Sequence, residues 1–60
     1  MGYEYEVHTI KTNGDDLGIL IFENGELAVY QTEKIANKVA EGMNRIYTQR
    51  HFVVIRRRKE

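Results

Sequence analysis

The chain has no cysteine, serine, tryptophan or proline. Without cysteine it forms no disulfide, a common support of very small domains. Without cysteine and serine it lacks the two commonest catalytic nucleophiles. It has no apolar run long enough to span a membrane and no basic-then-apolar leader. Internal repeats, low-complexity stretches and linkers are missing as well.

What is present fits a single domain over residues 1–60. A hydrophobic content of 42% and a charged content of 30% are those of a soluble globular chain rather than a disordered tail. The absence of cysteine is compatible with a cytoplasmic location. A domain of this size buries only about 60% of its extended-chain surface and is marginal alone. With disulfides excluded and only His8 and His51 as soft metal ligands, the remaining support is a partner or a second copy of the chain.

Residues 3–11 alternate, with Tyr3, Tyr5, Val7 and Thr9 on one side and Glu4, Glu6, His8 and Ile10 on the other. The first set reads as core-facing in a β-strand. Asn13-Gly14 followed by Asp15-Asp16 predicts a loop longer than two residues, and residues 17–23 a second strand. Asn24-Gly25 has clean strand flanks and predicts a two-residue type I′ hairpin into a third strand over 27–30. Thr32 reads as a helix N-cap, with Glu33 opposing the positive end of the dipole. Ile35, Ala36, Val39, Ala40, Met43, Ile46 and Tyr47 then form one apolar stripe of a helix that fades near Gln49 or Arg50. Gly42 inside it costs about 1 kcal/mol against Ala; it serves either a close approach to the sheet or nothing. Residues 51–57 predict a fourth strand, and 58–60 a frayed tail.

The expected fold class is α+β with element order β-β-β-α-β. The sheet is a four-stranded mixed sheet in order 3-2-1-4, with one helix packed on one face and the last strand parallel to the first. The expected core is Tyr5, Val7, one face of 17–22, Leu27, Val29, Ile35, Val39, Met43, Ile46 and one face of 52–55. One helix covers one sheet face, yet 17–22 and 52–55 are apolar on both faces. The surplus face, carried by Leu20, Phe22, Tyr30, Phe52 and Val54, is the expected protein interface, and a two-sided apolar edge strand is a second pointer to pairing.

Charge is balanced but segregated. Residues 1–44 hold eight acids and three bases, whereas residues 45–60 hold six bases and one acid. The bases Arg45, Arg50, Arg56, Arg57, Arg58 and Lys59 form the sharpest motif, and four consecutive cations suit phosphate contacts. A solvated, solubilising tail, or one that neutralises the acidic hairpins, is the more ordinary reading of so short a run. Glu4, Glu6, Glu23 and Glu26 repel phosphates from the strands and fit ordinary gatekeeping charge. His8 and His51, with Asp15 or Asp16, match no zinc spacing. The stretch 13–16 lacks the ligand spacing of a calcium loop and reads as turn chemistry.

The hairpin at Asn24, the helix start Thr32-Glu33-Lys34 and the pair Ala36/Ala40 give residues 24–45 a form that resembles small DNA binders built of a three-stranded sheet and one helix, of the integrase arm-binding type. That resemblance implies DNA contact through the sheet. The acidic strands and the fourth strand depart from it, and no residue is carried over. The functional expectation is a non-enzymatic protein-binding or accessory module acting through an exposed sheet face and edge strand, with a homodimer as its simplest form. The alternative is nucleic-acid binding through the basic cluster. No catalytic, metal or cofactor residues are expected.

Overall fold

The computed structural model describes residues 2–59. Its elements are β1 (Gly2–Lys11), β2 (Asp16–Ile19), β3 (Val29–Tyr30), α1 (Glu33–Ile46) and β4 (Arg50–Lys59). The α+β class, the β-β-β-α-β order, the four strands and the single helix are as the sequence predicts. β1 is the axis of the sheet. On one edge it pairs with β4 along its whole length, from Gly2 opposite Lys59 to Lys11 opposite Arg50. On the other edge Ile10 meets Asp16 and His8 meets Ile19, and then Glu6 meets Val29 and Tyr5 meets Tyr30.

β2 and β3 therefore run in the same direction along one edge of β1. Between them the chain leaves the sheet as a narrow hairpin over 20–28. The Ala28 N–H donates to the Leu20 carbonyl at 2.9 Å, and Ile21 bridges Leu27. Val7 straddles the gap: its N–H donates to Ala28 and its carbonyl accepts from Leu20.

This excursion corrects the expected strand directions. Since β3 resumes the course of β2 instead of reversing it, the chain reaches α1 at the opposite end of the sheet from the expected one. All pairings are antiparallel, so the sheet is not mixed and β4 is not parallel to β1.

The two Asn-Gly turns are built alike. Gly14 N–H donates to Lys11 and Lys11 N–H to Asp15; Gly25 N–H donates to Phe22 and Phe22 N–H to Glu26. In each turn the Asn side chain accepts from the amide two residues on. Positive φ occurs only at Gly14, Gly18 and Gly25 among the described residues. Each loop is therefore three residues ending on a left-handed glycine, a type I turn with a bulge. This corrects the expected type I′ turn at Asn24, which requires positive φ at Asn24 too.

Thr32 caps α1, its hydroxyl accepting from Ile35 N–H at 3.3 Å. The helix ends at Ile46, earlier than expected, with Tyr47 N–H closing on Met43. The core is Val7, Ala28, Ala36, Ala40 and Phe52, with Tyr5, Leu20, Phe22, Tyr30, Val39, Met43 and Val54 half-buried around it. Ala36 and Ala40 lie one turn apart on the face against the sheet. Leu27, Ile35 and Ile46, expected in the core, are exposed. In the excursion Leu20, Phe22 and Ala28 turn inward while Ile21 and Leu27 turn outward, so Ala28 replaces Leu27; Ile35 and Ile46 sit at the ends of the helix, past the buried pair.

β4 extends through residues 58 and 59 as a paired strand, which corrects the expected frayed tail there; Glu60 lies outside the described residues. Asn44 locks α1 to β4. Its amide donates to the Phe52 carbonyl at 2.9 Å and its oxygen accepts from Phe52 N–H at 2.7 Å, as a neighbouring strand would.

Three substitutions test these local arguments by urea denaturation. Gly42→Ala, with open space at the new Cβ, stabilises by about 0.5–1 kcal/mol. Gly25→Ala, at φ +86°, destabilises by about 1 kcal/mol. Asn44→Ala destabilises by about 1–3 kcal/mol, because two backbone groups lose their partner.

Candidate functional site

In an antiparallel pair, residues directly opposite share a face. Tyr3, Tyr5, Val7 and Thr9 of β1 thus lie with Phe52, Val54, Arg56 and Arg58 of β4 on the helix side. Glu4, Glu6, His8 and Ile10 lie with His51, Val53, Ile55 and Arg57 on the open side. Val53 and Ile55 are exposed there.

The open face holds an ion cluster at its centre. Glu6 is only 5% exposed. Its Oε1 lies 2.9 Å from His8 Nε2, and its Oε2 accepts from Arg57 Nη1 at 3.1 Å. His8 Nδ1 lies 3.1 Å and 3.2 Å from the two oxygens of Asp16. Asp16 Oδ1 also accepts from Gly18 N–H at 2.7 Å, across the register shift in β2. Both imidazole nitrogens face carboxylates, and only the imidazolium can donate at both. Burial opposes the charge on His8, but the bonds to Glu6 and Asp16 outweigh it and raise the His8 pKa above its ordinary value. The bond from His8 comes first in lowering Glu6, and the Gly18 amide comes first in lowering Asp16. As the imidazolium, His8 donates at both nitrogens, and its charge offsets that of the buried Glu6 carboxylate.

In sequence Glu6 reads as surface gatekeeping charge, whereas the fold buries it in the cluster. The signal was there in outline: Glu6 and His8 share a face at i, i+2, and the hairpin brings Asp16 alongside. His51 lies opposite Ile10 on the same face, and Asp15 is engaged with Asn13 in the first turn. No group of three or more His, Cys, Asp or Glu side chains is placed to hold a metal ion among the described residues.

The second feature is a groove of about 760 Å³ between the excursion and the end of α1. Leu20, Phe22, Met43 and Phe52 contribute its less exposed walls. Ile21, Ile46 and Tyr47 rim it and are 61%, 69% and 53% exposed. Glu23 stands on the excursion side and Arg50 on the β4 side.

Of the expected interface residues, Leu20, Phe22 and Phe52 come together in this groove, whereas Tyr30 and Val54 pack at the core margin elsewhere. All five lie on the helix side or in the excursion, and Phe52 is buried. The uncovered apolar side chains are different ones, with Val53 and Ile55 on the open face and Ile21, Ile46 and Tyr47 at the groove.

Strand alternation divides the basic cluster. Arg56 stacks over Tyr3, its guanidinium 4.5 Å from the ring centroid. Arg57 reaches Glu6 on the opposite face, and Lys59 reaches Gln31 at 3.5 Å. Arg50 begins the strand, about 26 Å from Arg58 at ~3.3 Å per residue, and Arg45 is in the last turn of α1. The six cations are not one patch.

No helix among the described residues is long and apolar enough to cross a membrane. The chain matches no family model, no curated protein and no solved structure.

The cluster gives stability a pH optimum. Raised His8 contributes fully below its ordinary value of 6.5, and the contribution is lost as pH rises through the folded value. Lowered Glu6 and Asp16 contribute fully above their ordinary values of 4.5 and 3.8, and that part is lost as pH falls through their folded values. The cluster's contribution is therefore greatest between 4.5 and 6.5. Ring-proton NMR should show His8 titrating above 6.5 in the native chain and lower in Glu6→Gln. A native midpoint at or below the ordinary value contradicts the pairing of His8 with Glu6 and Asp16.

Proposed function

We propose that the chain is a small protein-binding module without catalytic chemistry of its own, and that a second copy of the chain is its first partner. The observation that supports this is the balance of apolar surface. Nine large apolar side chains are exposed among the described residues, against five buried apolar residues, three of them alanine. A core that thin is the usual reason for a small domain to associate.

The groove suits a second copy for two reasons. Ile21, Ile46 and Tyr47 form an apolar rim beside less exposed apolar walls, so a two-fold rotation sets rim against wall in both directions. The flanks carry opposite charges, Glu23 on one side and Arg50 on the other, and the same rotation sets each against its opposite. An interface of about 800 Å² per partner takes about one sixth of the 4770 Å² accessible surface. The cytoplasm is the proposed setting, in keeping with a chain free of cysteine.

Light scattering after size exclusion tests this reading. The expected mass is twice 7.1 kDa, retained at about 1 M salt because apolar contact is little screened. The double variant Ile21→Glu, Ile46→Glu alters two exposed positions and is expected to run at the single-chain mass while keeping its fold by circular dichroism. A native chain of single mass at millimolar concentration overturns it.

A further inference from the structure

We propose that the outer edge of β4 over residues 54–58 is a docking strand for an extended acidic segment of another protein. It is a different surface from the groove and does not depend on self-association. Phe52 turns both backbone groups away from β1, since both go to Asn44. Val7, opposite Val54, likewise spends both of its groups on the other edge of β1. By the alternation of an antiparallel ladder, Val54, Arg56 and Arg58 then direct their N–H and C=O groups outward. Asn44 blocks this edge at Phe52, and among the described residues β4 has no other strand beside it.

The edge is selective in charge. Arg56 and Arg58 are exposed on one face of it, and carboxylates placed across from them on an added strand are favourable. A second copy of β4 is a poor occupant. With the edge blocked at Phe52, antiparallel self-pairing centres on Arg56 and sets cation against cation. Nucleic acid is a poor occupant too. Carbonyls alternate with the amides along the edge, which a peptide backbone matches and a phosphodiester does not.

The test uses the full native chain and three fluorescent probes: an eight-residue alternating Glu/Val peptide, the same peptide with Lys for Glu, and a single-stranded oligonucleotide of matching charge. Anisotropy is expected to show the acidic peptide bound at least tenfold more tightly than either other probe. Amide NMR is expected to show Val54, Arg56 and Arg58 newly protected. Methylating alternate amides of the acidic peptide is expected to weaken binding at least tenfold without any change to the protein. In Arg56→Glu, Arg58→Glu the preference should reverse towards the Lys peptide. No binding of the acidic peptide, binding without protection of those amides, or equal or tighter oligonucleotide binding overturns the proposal.

Discussion

The structure depends on β1 being paired along both edges. β4 occupies one edge for all ten residues of β1, and β2 and β3 share the other. Its two faces carry the two kinds of interior in the molecule. Val7 and Thr9 lie under α1, while Glu6 and His8 form the ion cluster behind it. A single strand thus connects the apolar core, the buried charges and the excursion that creates the groove. Val7 joins the core and the excursion, being buried on the helix side and bonded through both backbone groups to the ends of the excursion.

Much of this was legible in the residues. The alternation of Tyr3 to Ile10 identifies which side of β1 faces the helix, Thr32 fixes where α1 starts, and the apolar stripe selects Ala36 and Ala40. Strand direction was not legible. It turns on whether the chain after Leu20 stays beside β1 or leaves it, and both courses bury Leu20 and Phe22 equally well. The same ambiguity displaced the interface residues. Both faces of β4 are apolar, so Phe52 and Val54 read as surplus in sequence, but antiparallel register puts them under α1 and leaves Val53 and Ile55 outside. A run of four cations reads as one patch in sequence, yet a strand sends alternate members to opposite faces.

The ion cluster and the apolar surplus have one origin. A chain of 60 residues cannot cover both faces of its sheet with a single helix. On the open face it buries Glu6, whose carboxylate is met by His8 and Arg57, with Asp16 on the other nitrogen of His8. Elsewhere the surplus stays on the surface, at Ile21, Ile46 and Tyr47 around the groove. Val53 and Ile55, opposite His8 and Glu6, leave apolar surface beside the ion cluster as well.

The central claim is that a second copy covers the groove. Isotope-filtered NOE spectroscopy on a mixture of labelled and unlabelled chains tests it most directly. Contacts between chains are expected from Ile46 and Tyr47 to the walls formed by Leu20 and Phe22. A concentrated sample with no contacts between chains at these residues, or with contacts confined to β4, would contradict it.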